Sequence, residues 1–184
     1  MLRIALFGTS ADPPTAGHQA IVRWLSQHYD WVAVWASDNP LKSHQTPLEH
    51  RAAMLGLLIN DLPQNNIGLY QELSSPRTLE TVERSRRRWA EAELTLVVGS
   101  DLVRQLSRWY QVENLLRQVQ LLVVPRPGFI IDDRAVEEVR QLGTEVAIAN
   151  LDAPAVSSTA YRENKDPHAL TSTVEAYIHQ KNLY

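Results

Sequence analysis

FGTSADPPTAGHQAI, residues 7–21, joins the end of one apolar run to the start of a helical pattern. The run at residues 2–7 reads as a buried strand, and from His18 onward apolar residues recur at helical spacing. Between them stand the small residues Gly8, Thr9 and Ser10 and the two prolines Pro13 and Pro14. Small residues let a ligand come close to the main chain, and a helix beginning near Gly17 aims free N–H groups at it, which makes an anion site. The same loop also reads as an ordinary tight connection with an exposed histidine. It contains neither a GxGxxG nor a GxxxxGK[ST] pattern.

Further along the chain the alternation repeats. Short apolar, β-prone runs are expected as strands at 2–7, 31–36, 67–70, 94–98, 121–125 and 146–149. Segments of helical period are expected at 18–28, 48–60, 78–89, 100–106, 132–142 and 173–180. The runs at 94–98 and 121–124 are almost unbroken, as in central strands covered on both faces. This order predicts an α/β fold: one Rossmann-like, doubly wound parallel sheet with residues 1–184 as a single domain. In such sheets ligands bind beyond the carboxyl ends of the strands, where the strand order reverses. The charged stretch at 162–171, with Pro167, reads as a surface connection.

Composition narrows the function. With 184 residues, 44% of them hydrophobic, the chain can bury one core. Eighteen basic and 21 acidic side chains give a net charge of −3, which argues against nucleic acid as a partner. The run Arg84, Arg86, Arg87, Arg88 reads as a solvated helix face. With no cysteine there is no disulfide or thiolate site, and the cytoplasm is the expected compartment. No apolar stretch has the length of a membrane span or the form of a signal peptide. His28, His44, His168 and His179 show no metal-like pairing.

GTSADPPTAGH resembles, without a gap, the first signature of the nucleotidyltransferases that share a fold with class I aminoacyl-tRNA synthetases, written GxFxPxHxGH. Pro13, Gly17 and His18 match, while Thr9, Ala11 and Thr15 replace the usual Gly, Phe and first His; Ala11 is expected to loosen packing beneath the loop. The second signature, SSTxxR, is complete from Ser157 to Arg162 and implies another helix start. Between them, Asn39-Pro40-Leu41-Lys42, His50-Arg51-Ala52-Ala53-Met54-Leu55, the Gly99-x-Asp101…Trp109 segment and Arg126-Pro127-Gly128, and after them the closing VEAYIHQKNLY, are similar to the bacterial nicotinate-mononucleotide adenylyltransferases. The resemblance spans essentially the whole chain. Arg77 is a departure, standing where that family has a Tyr before Thr78.

The resemblance implies adenylyl transfer from ATP to nicotinate mononucleotide, with pyrophosphate released and Mg²⁺ held mainly by the ATP phosphates. Thr15, His18 and Arg162 would be the catalytic residues. ATP would meet Gly8, Thr9, Ser10, Thr15, His18, Gly99, Asp101, Ser157, Ser158, Thr159 and Arg162; the acceptor would meet Lys42, Arg77, Thr78, Trp109 and Arg126. A planar guanidinium fork suits a departing pyrophosphate. Plainer readings stand beside these. His18 sits in a helix N-terminal turn, Lys42 also reads as an exposed lysine, Asp101 as an N-cap, Trp109 as core and Arg77 as a solvated side chain. The alternatives in function are pantetheine-phosphate adenylyltransferase, which shares the T-x-G-H loop, and a sensor of the same fold without catalysis. The sequence leaves a homo-oligomer open.

Overall fold

The computed structural model describes residues 1–39, 42 and 45–184; Pro40 and Leu41 of the Asn-Pro-Leu-Lys segment, together with His44, lie outside the described residues. Six strands form one parallel sheet: β1 (Arg3–Thr9), β2 (Trp31–Ala36), β3 (Ile67–Leu69), β4 (Glu93–Gly99), β5 (Gln120–Val124) and β6 (Val146–Ile148). Their order is β3-β2-β1-β4-β5-β6, all neighbours parallel. The chain therefore winds outward from β1 in one direction, then returns to start again at β4 on its other side. That reversal leaves a crevice at the carboxyl ends of β1 and β4, where Thr9 and Gly99 stand.

Alternate residues of each strand face opposite layers. Ile4 and Leu6 join a core with Leu94, Leu96, Val98, Leu121 and Val123, which is covered by Leu79 and Val82 of α3 (Thr78–Arg88), Leu115 and Leu116 of α4 (Val112–Leu116) and Val136 and Val139 of α5 (Asp133–Gln141). Ala5 and Phe7 point the other way, with Val32, Val34, Val97 and Leu122. That side is covered by Val22 and Leu25 of α1 (Ala16–His28) and Leu55 and Ile59 of α2 (Leu48–Asn60). Because α2 also buries Met54 and Leu58 against Tyr161, Val174 and Ile178, it is apolar on two sides. Those partners belong to α6 (Ser158–Asn164) and α7 (Ser172–Lys181), which form an extra layer outside α2.

Differences from the sequence reading are local. The segment expected as a helix at 100–106 is a 3₁₀ helix, Ser100–Arg108, and a short 3₁₀ turn covers Gln71–Leu73. The charged stretch expected on the surface begins inside α6, and its Ala169 is 1% exposed. The arginine run on α3 is largely engaged by the protein itself. Arg84 donates to the Ser74 carbonyl at 2.5 Å and Arg86 to the carbonyls of Ala92 and Gln118 at 2.6 and 2.7 Å, while Arg88 lies over the Tyr70 ring at 4.7 Å. No helix among the described residues is long and apolar enough to cross a membrane.

Candidate active site

The opening loop ends at Thr15, the N-cap residue of α1, and His18 closes a capping box with it. The Thr15 main-chain N–H donates to Nδ1 of His18 at 2.9 Å, and the Thr15 hydroxyl lies 3.0 Å from the same nitrogen. An Nδ1 that accepts a bond leaves the proton of the neutral ring on Nε2. His18 therefore presents an N–H donor away from the helix. Burial, then the charges of Arg126 and Lys42, lower its pKa to about 4, so the ring is neutral at pH 7. One expected donor is already taken: the Ala16 N–H donates to the Ala169 carbonyl at 2.8 Å, which narrows the anion site at this helix start.

Cations from three other segments, Lys42, Arg126 and Arg162 of α6, converge here. Lys42 donates through Nζ to the Ser10 hydroxyl at 3.0 Å. Its pKa is lowered by desolvation first and then by the guanidinium groups of Arg162 and Arg126. Arg126, just beyond β5, pairs with Asp101 at 2.8 Å, while its main-chain N–H donates to the Ser100 hydroxyl at 2.8 Å. Asp101 is thus an ion-pair partner rather than an N-cap; the N-cap position is Gly99, where a Cβ would stand 2.4 Å from Oδ1 of Asp101. Gly8 owes its small size to a neighbour, since a Cβ there would lie 2.5 Å from the Trp35 indole. Thr9 closes β1, its carbonyl accepting from the Ser37 N–H at 2.8 Å.

In the SSTxxR segment, Ser157 caps α6 by accepting from the Ala160 N–H at 3.0 Å, which leaves its own proton available to a ligand. Ser158 instead donates to the Pro13 carbonyl at 2.7 Å, so its hydroxyl proton already ties α6 to the opening loop. Arg162 donates through Nη1 to the Asp12 carbonyl and through Nη2 to the Thr159 hydroxyl, the latter at 3.3 Å. The two signatures are therefore in direct contact.

Sequence reasoning missed several residues of this region. Arg51 was visible in its motif without a role. It is 1% exposed, donates through Nε to the Thr46 carbonyl at 2.8 Å, and donates through Nη1 to the carbonyls of Ser10 and Ser37 at 2.9 and 2.7 Å. It binds the loop after β1 to the loop after β2. Asp12 and Tyr184 form a 2.6 Å hydrogen bond across the site. A cavity of about 570 Å³ beyond the ends of β5 and β6 is lined by Pro125, Arg126, Pro127 and residues 151–155. The only sequence signal for 151–155 was their position after a strand and before SSTxxR.

The remaining acceptor candidates form a second group. Thr78 begins α3, and Arg77, its N-cap residue, lies over the Tyr110 ring at 4.4 Å and 3.6 Å from Glu80. Arg77 thus rests on protein groups rather than extending alone into water. Trp109 packs partly against the core and with its other side lines a cavity of about 400 Å³ with Gln111, Val112, Glu113, Asn114 and Arg117. Its reading as core holds in part.

A Rossmann-type sheet with a Thr-x-Gly-His turn and three cations at its switch point defines the class. The chain belongs to the cytidylyltransferase-like family, whose profile matches residues 6–164. Over its full length it is 42% identical to a Synechocystis protein described as "Probable nicotinate-nucleotide adenylyltransferase", covering 99% of that protein. It is 28% identical to the Bacillus subtilis nicotinate-nucleotide adenylyltransferase, covering all of this chain and 99% of that one. In fold it matches Plasmodium falciparum nicotinic acid mononucleotide adenylyltransferase complexed with NaAD, with a TM-score of 0.84, 20% identity and coverage of 100% and 98% of the two chains.

Proposed function

We propose that residues 1–184 act as one nucleotidyltransferase domain that transfers the adenylyl group of ATP to nicotinate mononucleotide, giving nicotinate adenine dinucleotide and pyrophosphate, in the cytoplasm. The observation that carries this is the neutral His18, fixed by Thr15 so that its Nε2–H donates toward the crevice shared with Lys42 and Arg126. The names of the full-length relatives from Synechocystis and Bacillus subtilis support the acceptor.

The chemistry asks little of a base. The acceptor's 5′-phosphate is already ionised at neutral pH and attacks the α-phosphorus of ATP; the bond to the β-phosphate oxygen breaks, and that electron pair leaves with pyrophosphate. Rate then comes from alignment and from charge stabilisation by fixed donors. His18 donates through Nε2 to the oxygen on which charge grows, and Thr15 holds the ring. Arg162 keeps its remaining N–H groups for the departing pyrophosphate, aided by the free proton of Ser157. Ser10 and Thr159 support Lys42 and Arg162 by direct hydrogen bonds. Lys42 meets the acceptor phosphate, and the cavity beside Arg126 has a volume suited to the adenosine half. Asp101 keeps Oδ1 for a ribose hydroxyl.

Mg²⁺ would enter with the triphosphate and neutralise its phosphate oxygens; among the described residues no group of three His, Cys, Asp or Glu side chains comes together to hold an ion. Pyrophosphate release measured with ATP and Mg²⁺ against nicotinate mononucleotide, its amide and phosphopantetheine tests the reading. Release with phosphopantetheine alone favours the other enzyme, and none with any acceptor refutes catalysis.

A further inference from the structure

Asp12 of the opening loop is 6% exposed, and the cations Arg162 and Lys42 approach it from other segments. A carboxylate buried so deeply must be hydrogen-bonded, or it draws in a charge of opposite sign. Its Oδ1 accepts the Tyr184 hydroxyl at 2.6 Å, and its Oδ2 accepts the Thr46 N–H at 3.4 Å. Toward Arg162 it offers its main-chain carbonyl. Tyr184 is itself anchored: its carbonyl accepts from Nζ of Lys165 at 2.7 Å, and its ring meets Tyr161 edge-on, with centroids 6.3 Å apart. Burial, then the bond to Asp12, hold the hydroxyl protonated far above the usual tyrosine range, so it remains a donor throughout the working pH range.

We infer that Tyr184 is a positioning residue for the triphosphate: its hydroxyl occupies the Asp12 carboxylate, so that Arg162 stays available to the ATP phosphate oxygens instead of pairing with Asp12. The inference rests on the adenylyltransferase reading. Without the hydroxyl, Oδ1 becomes a buried charged acceptor with no donor. Arg162, already on the Asp12 carbonyl, is a strong donor held against the same residue. An Arg162 that swings to the Asp12 carboxylate is lost to ATP.

The experiment compares Tyr184→Phe, Asp12→Asn and the double variant, with KM measured separately for ATP and for nicotinate mononucleotide and thermal unfolding followed in parallel. Tyr184→Phe is expected to raise the KM for ATP roughly 10- to 150-fold, the range for a hydrogen bond to a charged group. The KM for the mononucleotide should stay within about 2-fold. In the Asp12→Asn background, where the charge is gone, the same change should add less than about 2-fold. Unchanged ATP affinity, equal shifts in both KM values or full additivity would overturn the inference. So would failure of Tyr184→Phe to fold, which would make the hydroxyl purely structural. Wild-type turnover tests the underlying reading separately. If wild type does not turn over, calorimetric binding of ATP replaces KM, with the same outcomes.

Discussion

Replacing Arg51 by lysine tests how the two phosphate-facing loops are held together. The guanidinium makes three hydrogen bonds to carbonyls. Two of them, to Ser10 and Ser37, share Nη1, and the third, to Thr46, uses Nε. A lysine ammonium reaching the Nη1 position can keep the first two and must give up Thr46. Losing one charge-assisted bond to this half-buried carbonyl costs about 1.5–3 kcal/mol. For a chain of this size, that lowers Tm by about 3–12 °C. Arg51→Met loses all three bonds and should cost more, about 3–5 kcal/mol. Thr46 also donates its N–H to Asp12, so freeing it loosens the segment that carries Lys42. The KM for the mononucleotide should therefore rise in the lysine variant. Thermal and urea unfolding by circular dichroism measure the stability change. If Arg51→Lys matches wild type within about 0.5 kcal/mol, or if Arg51→Met is no worse than Arg51→Lys, the bridging bonds are not what holds these loops.

Three further outcomes follow from the site. The folded-state pKa of His18, about 4, lies below its unfolded value of 6.5. Its contribution to stability is therefore complete above about pH 6.5 and is lost as the pH falls toward 4, because the unfolded chain takes up the proton first; NMR titration of the ring in the free protein should give an apparent pKa well below 6, and a value at or above 6.5 contradicts the geometry. His18→Ala should lower kcat by roughly 10²–10³-fold while leaving the KM for ATP nearly unchanged, as for loss of one preorganised donor; a change confined to KM refutes the catalytic role. Arg77 is exposed, paired with Glu80 and stacked on Tyr110, so Arg77→Ala should change the acid-over-amide ratio of kcat/KM by less than about 3-fold. A drop of 10-fold or more would show that the guanidinium reaches the ring carboxylate.

Much of the scaffold was readable because its signals are local. The strand at 31–36 and the helix at 48–60 appear with the expected bounds, since an apolar run and a helical period each lie within a few residues of one another. Helix α4 was missed: it has only five residues, too few to show a period, and it starts from a left-handed Gln111 with φ of 46°. The stretch at 162–171 looked like a surface connection because its charges hide Ala169, whose carbonyl caps α1. Within the site, Thr15, His18 and the SSTxxR residues stood out through their spacing. The partners of Arg51 did not, since Ser10 and Ser37 lie 41 and 14 positions away. Asp12 and Tyr184 are 172 positions apart, and no local pattern joins them. The commitment of Ser158 to Pro13, 145 positions away, was hidden for the same reason.

The most direct measurement follows the phosphorus atoms. The protein is incubated with nicotinate mononucleotide and ATP labelled either at the α-phosphorus or at the γ-phosphorus, and the products are separated. Attack at the α-phosphorus predicts that the α-label appears in the dinucleotide and the γ-label in pyrophosphate, with one of each formed per turnover. Label from the γ-position in a phosphorylated mononucleotide, or α-label remaining in ATP while the acceptor is present in excess, would contradict adenylyl transfer.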